Sequence, residues 1–420
     1  MARNWDSSRI SRIIPLPAIF VFLGCGCAAN FDPQPVESVP FLDRAETQIS
    51  RDIRVTAAVP SSEETRDLFG ISLYRKRVQP LWLEIENNTD QWVSFLPVGL
   101  DTDFHSPFEV AAMAPKRKDQ GAAERYFLQS GFNSQIAPGE SRSGFVFSNL
   151  DEGTKSFNVD ILGDEQTWQF TFFIPVPGLA IDHYEVDFES IYSEDEMTNF
   201  VEAAHFIEAL QKLPCCTVDA KGENQGDPLN IVVIGEPMDM YYAVLRANWD
   251  ETEIVSAASG FKTAISFLTG GEYRYSPVSS LYVFGRDQDI ALQKIRSNIH
   301  ERNHFRLWRA PMNFEGVPVW IGQISRDVGV RFTKKTITTH KIDPDVDETR
   351  EFLLENLAYS QVLAKFAYVG GVGAAPVDSP RGNLTGDPYF TDGLRVVLWI
   401  STEPVDLQEI EYEEWSEPEG

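Results

Sequence analysis

Three of the chain's six histidines, His300, His304 and His340, fall between Pro277 and Glu351. They stand among arginines, tryptophans and the run Asp343-Pro-Asp-Val-Asp347. Histidine beside carboxylate is the pairing that moves protons near neutral pH or holds a divalent ion that activates water. His304, His340 and Asp343 are therefore the candidate catalytic residues, with Asp327 as a further carboxylate in the same stretch. The acidic run fails as a calcium loop of EF-hand type: Glu348 stands where glycine is needed and Leu354 where the closing glutamate belongs. His300-Glu-Arg-Asn-His304 matches HExxH in letters, but that motif needs a helix to bring its two histidines onto one face, and this stretch reads as a strand; GxSxG does not occur, so no motif points to a nucleophile elbow. No metal ligand set and no cofactor is assigned.

A second chemistry is recognition. In an extended strand alternate residues share a face. Arg302, His304, Arg306 and Trp308 then line up together, and Trp320 falls on a neighbouring strand. With Arg286 they are the candidate ligand-binding residues, because guanidinium forks match carboxylate or phosphate oxygens. The same residues also suit a purely internal network of ion pairs and Arg–Trp stacking. The acidic run reads best as a helix start, with Asp343 as N-cap, Pro344 as first residue and Arg350 paired to Asp347.

The elements that would carry these residues define a two-part, α+β chain. At 420 residues it exceeds one typical domain. Residues 66–190 hold short alternating strands, such as Pro80–Glu86 and Trp168–Pro175, separated by polar turns. This spacing predicts a β-sandwich of immunoglobulin-like type. Residues 191–226 predict a helix from Ser193 to Leu213 followed by a flexible connector, Lys221 to Asp227. Residues 227–401 mix strands and helices without regular βαβ repetition, a C-terminal mixed α+β domain. Residues 402–420 are acidic and predict a solvated tail. Cys215 and Cys216 are adjacent. Burial at a helix end is the expectation, with a bond, to each other or to another chain, as the alternative.

The N-terminus reads as an address. Arg3, Arg9 and Arg12 precede a short apolar stretch, Ile13 to Leu23, and then Gly-Cys-Gly-Cys27. Residues 1–27 thus predict an export signal, too short for a stable spanning helix. Small residues ahead of a cysteine resemble the lipobox of bacterial lipoproteins, which implies acylation at Cys25, with Cys27 as the alternative. Residues 28–65, rich in proline, glutamate and serine, predict a tether. The chain is expected in the bacterial cell envelope, held by its acyl anchor and facing the periplasm or exterior. A net charge of −27 argues against nucleic acid as a partner. An envelope protein, an anionic headgroup or a glycan remains as ligand.

One wider resemblance rests on Asp227-Pro-Leu-Asn-Ile-Val-Val-Ile-Gly235, Ala247-Asn-Trp249, Pro277 to Asp289, His304-Phe-Arg-Leu-Trp308, Val319-Trp-Ile-Gly322, Thr339 to Asp347 with Arg350, and Tyr389-Phe-Thr-Asp-Gly393. In order and spacing these resemble the LssY C-terminal domain, over about residues 227–400. The resemblance implies no assigned activity. Some relatives carry the domain behind DedA-like and type 2 phosphatidic acid phosphatase membrane domains, and the name is associated with type I secretion. No stretch of these 420 residues reads as either membrane domain, and a lipid anchor is expected in their place. Two readings follow: a noncatalytic recognition module, or a hydrolase of phosphoester type using His304, His340 and nearby aspartates.

Overall fold

A computed structural model describes residues 31–415, apart from 114–119, 165, 180, 182–185, 254–273, 277, 299–300 and 332–338. Residues 1–30, where an export signal with Cys25 or Cys27 is expected, lie outside the described residues. The fold is strand-rich α+β, with seven helices among the described residues.

The N-terminal unit is built on β1 (Glu46–Ser50), β2 (Ile53–Ala58), β3 (Val78–Asn87), β4 (Val93–Leu96), β5 (Gln135–Ile136), β6 (Ser141–Asn149), β7 (Thr154–Leu162) and β8 (Thr167–Pro175). They form two four-stranded sheets, β1-β2-β3-β6 and β5-β4-β7-β8. Strict alternation puts Leu81, Leu83 and Ile85 of one sheet and Phe157, Val159 and Ile161 of the other into a single core. The outer face of the first sheet is also apolar, through Val78, Phe145 and Phe147. It is covered by α1 (Ser62–Phe69), α3 (Pro107–Ala112) and α4 (Gln120–Ser130), while a single turn, α2 (Pro97–Leu100), lies against β7. Residues 28–65 are therefore not a tether over their described length. Phe41, Ile53 and Val55 are fully buried, and β1 and β2 extend the first sheet. The proline-rich composition hid two strands that follow it.

The C-terminal unit starts with β9 (Thr198–Phe200) and α5 (Ala203–Lys212). Ser193 caps only a 3-10 turn, so the helix expected from it begins ten residues later. Then come β10 (Cys216–Val218), β11 (Gln225–Pro228), β12 (Ile231–Ile234), α6 (Pro237–Arg246), β13 (Asp250–Glu251), β14 (Tyr282–Val283), β15 (Arg286–Asp287) and β16 (Ile290–Asn298). The expected connector at Lys221–Asp227 is instead the turn of the β10–β11 hairpin and the first residues of β11, the turn being closed by Asp219 accepting from Lys221, Glu223 and Asn224. Cys215 and Cys216 are joined to each other by a disulfide immediately before it. Two long strands follow, β17 (Glu301–Phe314) and β18 (Val317–Arg331), and then β19 (Thr339–Ile342) and α7 (Val346–Tyr359). The unit ends in β20 (Leu363–Gly370), β21 (Arg381–Gly382), β22 (Pro388–Tyr389), β23 (Leu394–Ile400) and β24 (Glu411–Glu413).

The central sheet runs β13-β16-β17-β18-β12-β23-β20-β24, with β19 on β18 and β9 on β17. One face packs on α6 and α7 through Ile231, Val233, Phe305, Leu307 and Trp320. The other packs on α5 and the small sheet β11-β10-β14-β15 through Val232, Ile234, Trp308 and Ile321. All four residues of β12 are buried, which explains its unbroken apolar run. Over its described length, to residue 415, the expected solvated tail is also part of the fold: β24 pairs in parallel with β20, and Trp415 packs edge-on to Trp399 and Phe206.

The two units meet through polar groups. Arg274 donates to Asp250 of the C-terminal unit and to Asp151 of the N-terminal unit, and Lys155 pairs with Asp151. Glu251 accepts from Thr154 N at 2.6 Å and from the Tyr241 hydroxyl. Phe173 of β8 stacks on Tyr242 of α6 with ring centroids 4.2 Å apart. Burial, then the neighbouring Asp151 and Glu251 carboxylates, push Asp250 up to about 6 despite Arg274. A carboxyl whose folded pKa is raised binds its proton more tightly when folded. Its contribution to stability is thus greatest below the ordinary aspartate value and is lost as pH rises through about 6. Lowering the pH from 7.5 to 5.5 should raise the urea midpoint of the wild type more than that of Asp250→Asn. Equal shifts in the two proteins would contradict the assignment.

Candidate functional site

The polar stretch singled out by residue type lies on the two longest strands. In β17 and β18 the antiparallel register sets His304 opposite Ser325, Arg306 opposite Gln323 and Trp308 opposite Ile321. Alternation then places Arg302, His304, Arg306 and Trp308 on one face, with Gln323, Ser325 and Asp327 beside them. The apolar half of this face belongs to the core with α5. The other half is a buried polar layer, roofed by the backbone at Ser276 and Ser279.

Within that layer Arg302 donates to Asp327 (3.1 Å), Gln293 and the Ser276 carbonyl. Arg306 donates to Gln323 (2.8 Å) and the Ser279 carbonyl. Gln323 in turn donates to Ser325 Oγ, which lies 3.1 Å from His304 Nε2. His304 Nδ1 is 3.7 Å from Asp327 Oδ2. Arg302, His304, Arg306, Ser325 and Asp327 are all less than a tenth exposed. Burial pulls Arg306 down to about 10, against the opposing field of Asp227. Asp227, itself buried, is pushed up for the same reason, while Asn383 donates to it.

The other candidates are dispersed. Trp308 is a core residue, fully buried. Trp320 is equally buried on the opposite face, where its indole donates to the Gly235 carbonyl and Phe188 meets it edge-on. Arg286 makes a two-pronged pair with Asp289 and also donates to the Tyr192 hydroxyl and the Arg309 carbonyl. His340 is opposite Val330, five residues beyond Ser325 on β18. At roughly 3.3 Å per residue this is about 16 Å along the strand from the level of His304. Its side chain lies outside the described residues. Asp343 is on the helix side, 3.9 Å from Arg326, and accepts from the Asp345 backbone. The N-cap of α7 is Asp345, not Asp343: its side chain accepts from Glu348 N. Arg350 does pair with Asp347, and more closely with Asp392.

The structure thus brings His304 together with Arg302, Arg306 and Asp327, and separates it from His340, Asp343, Arg286 and Trp320. Ser325 was not singled out from the sequence. Its signal was the alternation Gln323-x-Ser325-x-Asp327, which mirrors Arg302-x-His304-x-Arg306 once the hairpin register is known. Chemically, the layer offers a serine, an imidazole and a carboxylate in series, but inside the fold. Among the described residues no group of three or more His, Cys, Asp or Glu is arranged to hold a metal ion.

Comparison with known families places this layer in context. Residues 209–394 match the family model described as LssY C-terminus. The match spans the region from the end of α5 to the start of β23, and so includes β17, β18 and the strands and turns that roof them. No curated protein matches the chain. No described helix is long and apolar enough to cross a membrane.

Removing one member of a buried ion pair leaves the other charge uncompensated. Asp327→Ala should therefore cost about 3–5 kcal/mol in urea unfolding, whereas Arg302→Met with Asp327→Leu should recover much of that loss. A loss below about 1 kcal/mol for the single variant would show that Asp327 does not hold the layer together.

Proposed function

We propose, on the premise of an LssY-family C-terminal region, that this chain is an exported, lipid-anchored cell-envelope protein whose C-terminal unit is a noncatalytic recognition module. The N-terminal unit is then an immunoglobulin-like sandwich, with an added helical layer, that carries the module away from the anchor. What supports noncatalytic work is the closure of the β17–β18 layer: its arginines are engaged by Asp327, Gln293, Gln323 and the backbone roof, and its histidine by Ser325. Open polar surface lies instead where the two units meet, the usual place for a ligand site in a two-domain protein. The anchor reading comes from the sequence: a positive stretch, a short apolar stretch and Cys25.

One observation favours a second reading. Ser325, His304 and Asp327 follow one another at 3.1 and 3.7 Å, the order of a nucleophile, a base and an orienting acid. As a hydrolase the chain would need this layer to open so that a phosphoester or acyl group reaches Ser325.

One measurement tests the anchor and a second separates the two readings. Cys25→Ser should move the protein from the membrane to the soluble fraction and abolish labelling by a fatty-acid analogue. Retention of label on that variant would transfer the assignment to Cys27, and an unlabelled wild type beginning well before Cys25 would refute the anchor. Ser325→Ala should leave a phosphoester and ester screen unchanged, at the background of the wild type. A wild-type turnover that Ser325→Ala removes while the urea midpoint holds would establish the hydrolase instead.

A further inference from the structure

The junction between the units encloses two adjoining cavities, of about 360 and 300 Å³, and one side chain lines both: Arg246, at the end of α6. The floor of the larger is saturated, with Arg274 held by Asp151 and Asp250, and Glu251 by Thr154 and Tyr241. Their walls are not. Among the described residues, the Arg246 guanidinium has no hydrogen-bonding or ionic partner, although it is only partly exposed. The same holds for the side chains of Ser156, Asn248 and Ser360 in the larger cavity and of Asp239 in the smaller one. Asn158 uses its carbonyl oxygen to accept from Thr171 and keeps its amide for the cavity. Asp239 and Arg246 are seven residues apart on α6, two turns, and so share the face turned to the junction.

A guanidinium left without a carboxylate in a concave, partly desolvated place is a receptor for an oxyanion. The hydroxyl and amide groups around it both donate and accept, which suits a ligand dense in hydroxyls. Charge limits the anion. Asp151, Asp250 and Glu251 line the larger cavity and Asp239 and Glu403 the smaller, so a single negative charge is tolerated far better than a phosphate dianion. The geometry points to this groove as the binding site for a saccharide carrying a carboxylate, of uronic-acid type. The carboxylate pairs with Arg246, and sugar hydroxyls reach Ser156, Asn158 and Asn248 on one side and Asp239 on the other. The proposal rests on the recognition reading above and gives it a ligand class and an address. It also uses residues from both units, so neither unit alone forms the site.

The test uses the mature full chain and digalacturonic acid, titrated by calorimetry, with the methyl-esterified disaccharide as the neutral control. The wild type should bind the acid and not the ester. Arg246→Gln should weaken binding about tenfold or more, the loss of one charge-assisted pair. Asn248→Gly should weaken it less. Asn248 has φ +60°, which glycine adopts freely, so this variant removes the amide without disturbing the turn. Equal binding of acid and ester, equal binding by Arg246→Gln with an unchanged urea midpoint, or no binding of digalacturonate by the wild type would each overturn the proposal. The fatty-acid labelling and ester-screen measurements contain no saccharide, so failure here is distinguishable from failure of the recognition reading.

Discussion

The cross-strand register of β17 and β18 is the constraint on which the rest of the C-terminal unit depends. It decides that Arg302, His304 and Arg306 face Asp327, Ser325 and Gln323 rather than water or apolar side chains. A slip of one residue would turn these groups onto the face that packs on α6 and α7. Two guanidiniums in that core without partners would cost more than the hydrophobic contacts of the two helices return. The buried ionic layer therefore acts as a key for the register. The strands β10, β11 and β14 that cover its neighbouring core are fixed in turn by the hairpin they close against.

A second buried cation shows the same logic at a helix end. Arg395 is fully buried on β23 and donates to the carbonyls of Leu210, Leu213, Pro214, Leu229 and Gly371. It adds a donor to the carbonyls that end α5, where Leu210 already accepts from Leu213 N, and to the Pro214 carbonyl just before the Cys215–Cys216 pair. Lacking a carboxylate, it is held by dipoles alone, and burial pulls its pKa down to about 10. The molecule thus places arginine both as an ion-pair member and as a donor array for backbone oxygen.

Local pattern carried much of the architecture. The alternation of Pro80–Glu86, the solid apolar run of Ile231–Ile234 and the proline at the start of α6 all specify their elements without reference to the rest of the chain. The parity of Arg302, His304, Arg306 and Trp308 was legible for the same reason. What these residues face was not, because partners such as Asp327 and Gln293 are chosen by pairing between strands distant in sequence. Composition misled at the two ends. Residues 46–58 and 411–413 look polar, yet each lies beside a strand whose backbone needs a partner. Ser193 shows a further limit: its backbone N–H and its hydroxyl both donate to Glu196, but it opens a 3-10 turn because Thr198–Phe200 is drawn into pairing with β17.

The parallel pairing of β24 with β20 has a consequence for what the sheet presents at this edge. Without it, β20 would end a wide sheet with a row of open amides and carbonyls, a template for a second chain. Glu411 and Glu413 fill that row and share Lys365, while Glu414 follows them. The sheet's new margin is thus short and negatively charged. Two copies approaching edge to edge would repel before their backbones could meet, so the acidic segment serves as a guard against aggregation.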